Sequence, residues 1–197
     1  MGWNRRWYLD LNRISRHTGW AHPMAAAYAV YAGLAVLAVL LVLGAFRARR
    51  SPAHLAAALG AGAATIVAFL INQPISSFVA EPRPYASLPG VLVLIPRSHD
   101  FALPSDHAVV AGAVIMGIFL YDRWLALPAL LAGLALALDR VYVGAHYPWD
   151  VISGLLLGAA VAALLVPPLR RLLTPPLARL ARGAGRRWLG SAPVTSG

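Results

Sequence analysis

The chain has 197 residues, of which 59% are hydrophobic and only 12% are charged, and its mean hydropathy is +0.66. This composition excludes an ordinary soluble domain and predicts an integral membrane protein. The formal net charge is +10, and all 17 basic residues are arginine. Such a basic balance beside apolar segments indicates contact with anionic lipid headgroups and not with nucleic acid. The sequence has no cysteine, which excludes disulfides and thiolate chemistry.

The first predicted element is an interfacial segment at residues 1–23. This segment is rich in arginine, tryptophan and tyrosine, as is typical of an amphipathic helix that lies in the membrane surface. A long apolar run then begins at Met24, and no obvious cleavage site follows it. We therefore expect a retained membrane span and not a signal peptide that is removed.

Five apolar segments predict five transmembrane helices. The expected fold class is all-α: an integral membrane helical bundle of about five transmembrane helices, preceded by the N-terminal interfacial helix. The predicted spans are residues 24–45, 54–79, 105–121, 124–142 and 151–168. Residues 24–168 are expected to form one transmembrane domain. Residues 169–197 are expected to form a basic tail that ends in a disordered stretch from Ser191 to Gly197.

The distribution of arginine predicts the orientation of the bundle. Five spans put the amino terminus and the loops at residues 80–107 and 139–150 on one side of the membrane. That side carries seven arginines, whereas the other side carries ten, six of them in the tail. By the positive-inside rule, the tail then lies in the cytoplasm and the two loops face outward.

The first of these loops carries a polar cluster. Prolines on either side of Arg83 keep it off a regular helix, and its planar guanidinium can bind two phosphate oxygens at once. Ser105, Asp106 and His107 open the third span, where serine is a strong helix N-cap. The same helix start offers free N–H groups to an anion, and His107 can carry a proton near neutral pH. Simple capping by Ser105 and contact of Arg83 with lipid headgroups would explain each residue taken singly.

The second loop carries a second polar cluster. Arg140 ends an otherwise apolar span, where a charge is costly and indicates a partner or a ligand. Gly144 allows the backbone to turn. His146 precedes the fifth span, and Asp150 lies in its first turn, where the carboxylate can accept a hydrogen bond from one imidazole nitrogen. The other nitrogen would then present its lone pair to a substrate. A structural hydrogen bond at a helix start would explain the same pair.

Together the two clusters resemble the signature motifs of the type 2 phosphatidic acid phosphatase superfamily of membrane lipid phosphatases. The resemblance covers roughly residues 76–154. The third motif of that family is an arginine, five residues, a histidine, three residues and an aspartate. It is matched by Arg140, His146 and Asp150. Asp139 replaces the serine that usually precedes this arginine, but the histidine and the catalytic aspartate of the motif are intact.

The other two motifs match with one substitution each. The second motif, Pro-Ser-Gly-His, is matched by residues 104–107, with Asp106 in place of the glycine. A carboxylate there must point away from a bound phosphate or repel it. The first motif ends in Arg-Pro, matched by Arg83 and the proline after it, but Ser76 replaces the lysine that usually lies seven residues before this arginine. Residues that could compensate for the lysine are Asn72, Gln73 and Arg97.

The resemblance implies a phosphatase that uses neither a metal nor another cofactor. Neutral His146, oriented by Asp150, would attack the terminal phosphorus, while protonated His107 donates to the leaving oxygen. Water would then hydrolyse the phosphohistidine. The expected phosphate-binding residues are Arg83, Ser105, Arg140 and Asp106. The chain lacks the clustered carboxylates that a magnesium site would use. Because the two histidines need opposite protonation states, the pH–rate profile is expected to be bell-shaped.

The substrate that the resemblance favours is undecaprenyl pyrophosphate, converted to undecaprenyl phosphate during recycling of the peptidoglycan precursor carrier. Phosphatidic acid and phosphatidylglycerol phosphate also present a terminal phosphate at the membrane surface and stay open as substrates. A lipid phosphotransferase and an inactive membrane homologue stay open as functions. The expected partners are the lipid substrate and the bilayer, without nucleic acid. The expected location is the plasma membrane, with the site on the extracytoplasmic face, and the oligomeric state is not predicted.

Overall fold

The computed structural model describes residues 2–182, and within this range the regular elements are helices, with no strand. The α-helices are α1 (Gly2–His17), α2 (His22–Ala27), α3 (Gly33–Ala48), α4 (Pro52–Val79), α5 (Pro84–Ser87), α6 (Asp106–Phe119), α7 (Arg123–Tyr142) and α8 (Pro148–Arg182). A 3₁₀ turn at Gly19–Ala21 precedes α2, and a π-helical turn at Tyr28–Ala32 joins α2 to α3.

Four stretches of this bundle are long and apolar enough to cross a membrane. They are Gly19–Ala48, Pro52–Ser87, Arg123–Tyr142 and Pro148–Arg182. Helix α6 is also apolar but has only 14 residues, which is about 21 Å of helix and less than the roughly 30 Å of a hydrocarbon core. It packs against α4, α7 and α8, so helices and not lipid surround most of it. The predicted fold class, an all-α membrane helical bundle, is confirmed.

Small residues let α6 and α8 approach each other closely. A Cβ atom at Gly158 would overlap the carbonyl oxygen of Val109, and a Cβ atom at Gly112 would overlap that of Leu155. Close backbone approach at small residues is typical of helix packing in membranes. The contact brings the start of α6 next to the start of α8, where the backbone N–H of Ser105 donates to the carbonyl of Asp150 at 3.0 Å.

Four helix termini meet at one end of the bundle: the ends of α4 and α7 and the starts of α6 and α8. We call this the site end, because every predicted site residue lies there. Helix α1 and the loop at residues 88–105 cover it. The Asn12 side chain of α1 donates to the carbonyl of Leu92 at 2.7 Å and accepts from its N–H at 3.0 Å. The Tyr8 hydroxyl donates to the carbonyl of Gly144 at 3.3 Å.

The helix bounds differ from the sequence prediction at two places. The first span begins at Gly19, before Met24, because α2 and the π-helical turn continue into α3. Helix α8 runs on to Arg182, although prolines 167 and 168 lie inside it. Neighbouring helices commonly satisfy the backbone groups that such prolines free in membrane helices. The predicted basic tail therefore starts as helix, and the stretch from Ser191 to Gly197 lies outside the described residues. The domain boundaries stay a prediction.

Candidate active site

A cavity of about 280 Å³ opens at the site end. Five of the seven predicted site residues line it: Arg83, Asp106, His107, Arg140 and His146. The other two, Ser105 and Asp150, are fully buried and do not line it. Side chains from α4–α5, α6 and the end of α7 therefore converge on one pocket, although 63 positions separate Arg83 from His146 in the chain.

The ring of His146 is fixed from both sides. Its Nδ1 lies 2.9 Å from the carbonyl oxygen of Ala102 and 3.5 Å from Oδ2 of Asp150. Its Nε2 lies 3.0 Å from an Nη atom of Arg83, which can only donate. The proton of the neutral ring therefore belongs on Nδ1, and Nε2 carries its lone pair toward the cavity. The sequence predicted Asp150 as the orienting group, but the carbonyl of Ala102 is the nearer acceptor.

Asp150 shares its carboxylate between two neighbours. Its Oδ2 accepts a hydrogen bond from the backbone N–H of Tyr147 at 2.7 Å and also faces Nδ1 of His146. The carboxylate therefore holds the turn that leads into α8 and also lies beside the imidazole ring of His146. This geometry fits the structural role considered from the sequence, and the orienting role on the histidine stays a prediction.

A glycine at the end of α7 brings His146 to the cavity. Gly144 has φ +83°, a left-handed conformation that favours glycine, and a Cβ atom there would overlap the carbonyl oxygen of Leu92. The chain reverses at this residue, and the N–H groups of Ala145 and His146 both reach the carbonyl of Arg140, at 3.1 and 3.3 Å. The predicted role of Gly144 as a turning point agrees with this geometry.

Burial and charge keep His146 neutral. The side chain is 1% exposed. Burial lowers its pKa well below the ordinary value of 6.5, and the positive charges of Arg140 and Arg83 lower it further. The hydrogen bond to Ala102 acts in the opposite direction and is outweighed. A neutral imidazole is the form that a nucleophile requires, and the lone pair on its Nε2 here accepts from Arg83.

Arg83 is held by Asp100, a residue that sequence reasoning did not include in the site. The Arg83 Nε and one Nη atom donate to the two carboxylate oxygens of Asp100, at 3.0 and 2.9 Å. Another N–H of Arg83 donates to the carbonyl of Ala145 at 3.2 Å. Burial raises the pKa of Asp100, but hydrogen bonds from Ser98 and Arg83 outweigh it, so the pKa lies below its usual range. No spacing rule in the sequence points to this pair.

Arg140 is the second buried guanidinium. It is 5% exposed, and one of its Nη atoms donates to the carbonyl of Ala29 at 3.1 Å. Ala29 belongs to the π-helical turn, a feature that is frequent at functional sites. The Nε atom of Arg140 is buried and has no hydrogen-bond acceptor among the described residues. This arginine therefore retains unused donor capacity beside the cavity.

Ser105 is not a simple helix cap. It is the N-cap residue of α6, but its side chain makes no capping hydrogen bond, and its Oγ is buried without a partner among the described residues. A buried hydroxyl without a partner is costly. The capping explanation considered for the sequence therefore does not account for Ser105. His107 lies in the first turn of α6 and lines the cavity.

Asp106 is anchored to α4. Its Oδ1 accepts hydrogen bonds from the side-chain amides of Asn72 at 2.7 Å and Gln73 at 2.9 Å. Asn72 is fully buried and also donates to the carbonyl of Pro104 at 3.0 Å. These bonds tie the start of α6 to the face of α4 that ends near Ser76. The expectation that Asp106 contacts phosphate stays a prediction, because one of its oxygens is already occupied.

None of the three residues considered as substitutes for the missing lysine lines the cavity. Asn72 and Gln73 bind Asp106, and the guanidinium of Arg97 lies 5.6 Å from the centre of the Tyr85 ring. The Tyr85 hydroxyl in turn donates to the carbonyl of Ser98 at 3.0 Å, which folds the loop over the cavity. Among the described residues that line the cavity, Arg83 and Arg140 are the two whose side chains stay positively charged across the neutral pH range.

Comparison with known families gives one match that covers most of the bundle. A sequence model of the family described as the PAP2 superfamily matches residues 57–171. This range is more than half of the chain, and it contains every predicted site residue.

Curated relatives match about half of the chain. Undecaprenyl-diphosphatase BcrC of Bacillus subtilis is 34% identical over 106 residues, 54% of each chain. An undecaprenyl-diphosphatase of Sulfolobus acidocaldarius is 30% identical over 103 residues, 51% of this chain and 50% of its own. A decaprenylphosphoryl-5-phosphoribose phosphatase of Mycobacterium tuberculosis is 37% identical over 109 residues, 54% and 58% of the two chains. The chain thus spans about half the length of the curated relatives it matches.

One solved structure shares the fold. The crystal structure of LpxE from Aquifex aeolicus superposes with a TM-score of 0.55 at 23% identity, and the match covers 79% of this chain and 92% of that one. At this identity the likeness establishes the architecture of the bundle and nothing about its substrate.

The anchoring of Asp106 leads to a stability prediction. We expect Asn72→Ala to lower the free energy of unfolding by about 1–3 kcal/mol, because the buried carbonyl of Pro104 loses the donor that Asn72 supplies. Gln73→Ala is the matched control: it donates to the same oxygen of Asp106, but its side chain is exposed, so we expect a change of no more than about 0.5 kcal/mol. Thermal unfolding of the two variants in detergent measures both. Equal losses would show that the buried amide is not what anchors α6.

Proposed function

The chain belongs to the PAP2 superfamily, and on that premise we propose that it is a membrane phosphatase. The reaction is hydrolysis of the terminal phosphate of a lipid phosphate, by way of a phosphohistidine at His146. The observation that carries this proposal is the 3.0 Å contact between Nε2 of His146 and a guanidinium N–H of Arg83. A group suited to bind phosphate oxygens thus lies directly beside the atom suited to attack phosphorus.

The first half of the reaction transfers the phosphoryl group to the protein. Nε2 of His146 forms a bond to phosphorus as the bond from phosphorus to the leaving oxygen breaks. His107 gives its proton to that oxygen, so the lipid leaves as a neutral hydroxyl or as a shorter phosphate. A phosphate bound between Arg83 and Arg140 brings negative charge beside His107 and favours its protonated form. A positioned acid of this kind contributes roughly 10²–10⁴-fold in rate.

The second half returns the protein to its starting state. Water attacks the phosphorus, His107 accepts a proton from that water, and the bond between phosphorus and Nε2 breaks. Arg83 and Arg140 supply the positive charge for the oxygens of both transition states. The buried, unpartnered Oγ of Ser105 and the free N–H groups at the start of α6 are further donors within the same helix start.

Metal independence is part of the proposal. Within residues 2–182, no three His, Asp or Glu side chains group in a way that could hold a metal ion. Two fixed guanidinium groups and a helix start instead offer positive charge in the cavity. We therefore propose that catalysis needs neither a metal nor another cofactor.

The substrate we propose first is undecaprenyl pyrophosphate. The names of two relatives refer to that diphosphate, and the third to a polyprenyl-linked sugar phosphate. All three names thus refer to a polyprenyl chain that carries phosphate. The cavity, at about 280 Å³, has room for a phosphate group but not for a polyprenyl chain, which would remain in the bilayer. Phosphatidic acid, phosphatidylglycerol phosphate and transfer to an acceptor alcohol are alternatives for the same assay.

We also propose that the cavity faces the extracytoplasmic side. Among the described residues, the opposite end of the bundle has eight arginines and the site end has seven, and the end with more arginines favours the cytoplasm. The chain has no cysteine, so His99→Cys gives one exposed thiol in the cavity loop. A membrane-impermeant maleimide should label it in intact cells. Labelling only after lysis would reverse the orientation.

The proposed activity predicts phosphate release that withstands chelation of metals. Purified protein in detergent with EDTA should release phosphate from undecaprenyl pyrophosphate, and His146→Ala should reduce the rate by roughly 10³-fold or more because it removes the nucleophile. His17→Ala is the control, since His17 is exposed on α1 away from the cavity. Release that needs added metal, or that survives in the His146 variant, would contradict the proposal. Activity only on phosphatidic acid or phosphatidylglycerol phosphate would keep the mechanism and change the substrate.

The lowered pKa of His146 predicts the acidic limb of the pH–rate profile. His146 reacts when neutral, and burial beside Arg140 and Arg83 lowers its pKa below 6.5, so falling pH should abolish activity only well below that value. Loss of the His107 proton should produce the alkaline limb, which makes the profile bell-shaped. The pH dependence of kcat/KM gives the acidic limb of the free protein, and the pH dependence of kcat gives the alkaline limb, because bound phosphate favours the protonated form of His107. An acidic midpoint above 6.5, or a flat profile from about pH 5 to about pH 9, would argue against these two roles.

A further inference from the structure

A second cavity, of about 540 Å³, lies at the opposite end of the bundle from the candidate active site. We propose that it binds the phosphate headgroup of an anionic phospholipid of the surrounding bilayer. We call it the basic cavity, and the residues that define it are Arg47, Arg49, Arg50, His54 and Tyr121. The connection between α3 and α4 forms one wall, and the turn between α6 and α7 forms the other.

Charge at this end of the molecule is strongly one-sided. Of the seven acidic residues in the sequence, only Asp122 lies there. The arginines at this end, within the described residues, are Arg47, Arg49, Arg50, Arg123, Arg170, Arg171, Arg179 and Arg182. Such an excess creates a positive potential at the membrane surface, which attracts anionic headgroups.

The contacts inside the basic cavity leave much of this charge available. Arg47 is paired with Asp122, whose Oδ2 lies 2.9 Å from its Nε. Both carboxylate oxygens of Asp122 accept a hydrogen bond, because its Oδ1 also caps α7 by accepting from the N–H of Leu125 at 3.0 Å. Arg49 donates one N–H to the carbonyl of Phe46, and Arg50 is exposed and forms no ion pair with a described residue. Neither Arg49 nor Arg50 therefore meets a carboxylate here.

A helix start adds to the attraction. Helix α4 has 28 residues, begins at Pro52 and directs the positive end of its dipole into this connection. The Ser51 hydroxyl caps it by accepting from the N–H of His54 at 3.4 Å. His54 itself is exposed in the first turn, on the wall of the cavity. A phosphate here would meet two guanidinium groups, an imidazole and a helix N-terminus together.

An independent observation comes from Tyr121. Its hydroxyl oxygen is buried and has no hydrogen-bond partner among the described residues. Gly44 makes room for it, since a Cβ atom there would overlap the hydroxyl. A buried hydroxyl left without a partner is costly, and a phosphate oxygen in the cavity would supply an acceptor. Tyr121 thus lines the cavity and carries a hydroxyl that no described residue uses.

A lipid fits better than a free anion because the cavity continues onto an apolar face. Phe46 is 59% exposed, and Val42, one turn earlier on α3, is 70% exposed. Both belong to the span Gly19–Ala48, so this face is turned toward the hydrocarbon of the bilayer. The ring of Phe46 also lies under the guanidinium of Arg49, 3.5 Å from its centre. A headgroup in the basic cavity could therefore extend its acyl chains along α3.

Lipid retention by the purified protein tests this proposal without use of enzymatic activity. The full chain is reconstituted in nanodiscs of phosphatidylglycerol and phosphatidylcholine in equal amounts, extracted into detergent, and the bound lipid is counted by native mass spectrometry. We expect preferential retention of phosphatidylglycerol. Arg49→Gln with Arg50→Gln should reduce that preference about tenfold or more, since each arginine near a membrane surface contributes about fivefold.

Two further variants make the result specific. Arg179→Gln with Arg182→Gln removes the same charge from the same end of the bundle but outside the basic cavity, and should reduce retention less than the loss of Arg49 and Arg50 does. Tyr121→Phe removes the unpartnered hydroxyl without a change of charge and should weaken retention by roughly fivefold. Equal retention of the two lipids, or equal loss in both double variants, would overturn the proposal. Displacement of the lipid by millimolar inorganic phosphate alone would overturn the choice of a lipid ligand.

Discussion

Two arginines buried at one end of an apolar bundle are the constraint on which the candidate site depends. Arg83 and Arg140 are 7% and 5% exposed, and a buried charge without partners is strongly destabilising. The carboxylate of Asp100 and the backbone carbonyls of Ala145 and Ala29 accept hydrogen bonds from these two side chains, yet Nε of Arg140 has no acceptor among the described residues. Burial lowers the pKa of His146, and the same two charges lower it further, so the ring is neutral. In the proposed mechanism, the two arginines that bind the anion therefore also help to keep the nucleophile neutral.

Local departures from regular helix geometry help to position the side chains of the candidate site. The π-helical turn at Tyr28–Ala32 presents a carbonyl to Arg140, and the left-handed Gly144 returns the chain from α7 toward the cavity. Close packing at Gly158 holds α6 against α8, so the start of one helix lies beside the start of the other. The π-helical turn and Gly144 each help to position a side chain at the site end. The residues of the candidate site lie at the ends of the helices or in the loops beside them.

Much of the site could be predicted from the sequence, because the spacing of Arg140, His146 and Asp150 follows from one helix end and the next helix start. The family match to residues 57–171 supports that reading. The partners that depend on distant backbone could not be predicted. The carbonyl of Ala102 is nearer to His146 than Asp150 is, and Asp100 reaches Arg83 across a loop without a regular period. The length of α8 was underestimated, because its proline pairs do not end it.

Covalent phosphorylation of Nε2 of His146 is the step that defines the proposed mechanism. Rapid quenching of the protein with substrate labelled in its terminal phosphate, followed by peptide mass spectrometry under alkaline conditions that preserve phosphohistidine, tests this directly. A phosphoryl group should form and decay on His146 at rates compatible with turnover. The His146→Ala variant should carry no such group. Product formation without labelled protein, or a label on another residue, would contradict it and indicate direct attack by water or a different nucleophile.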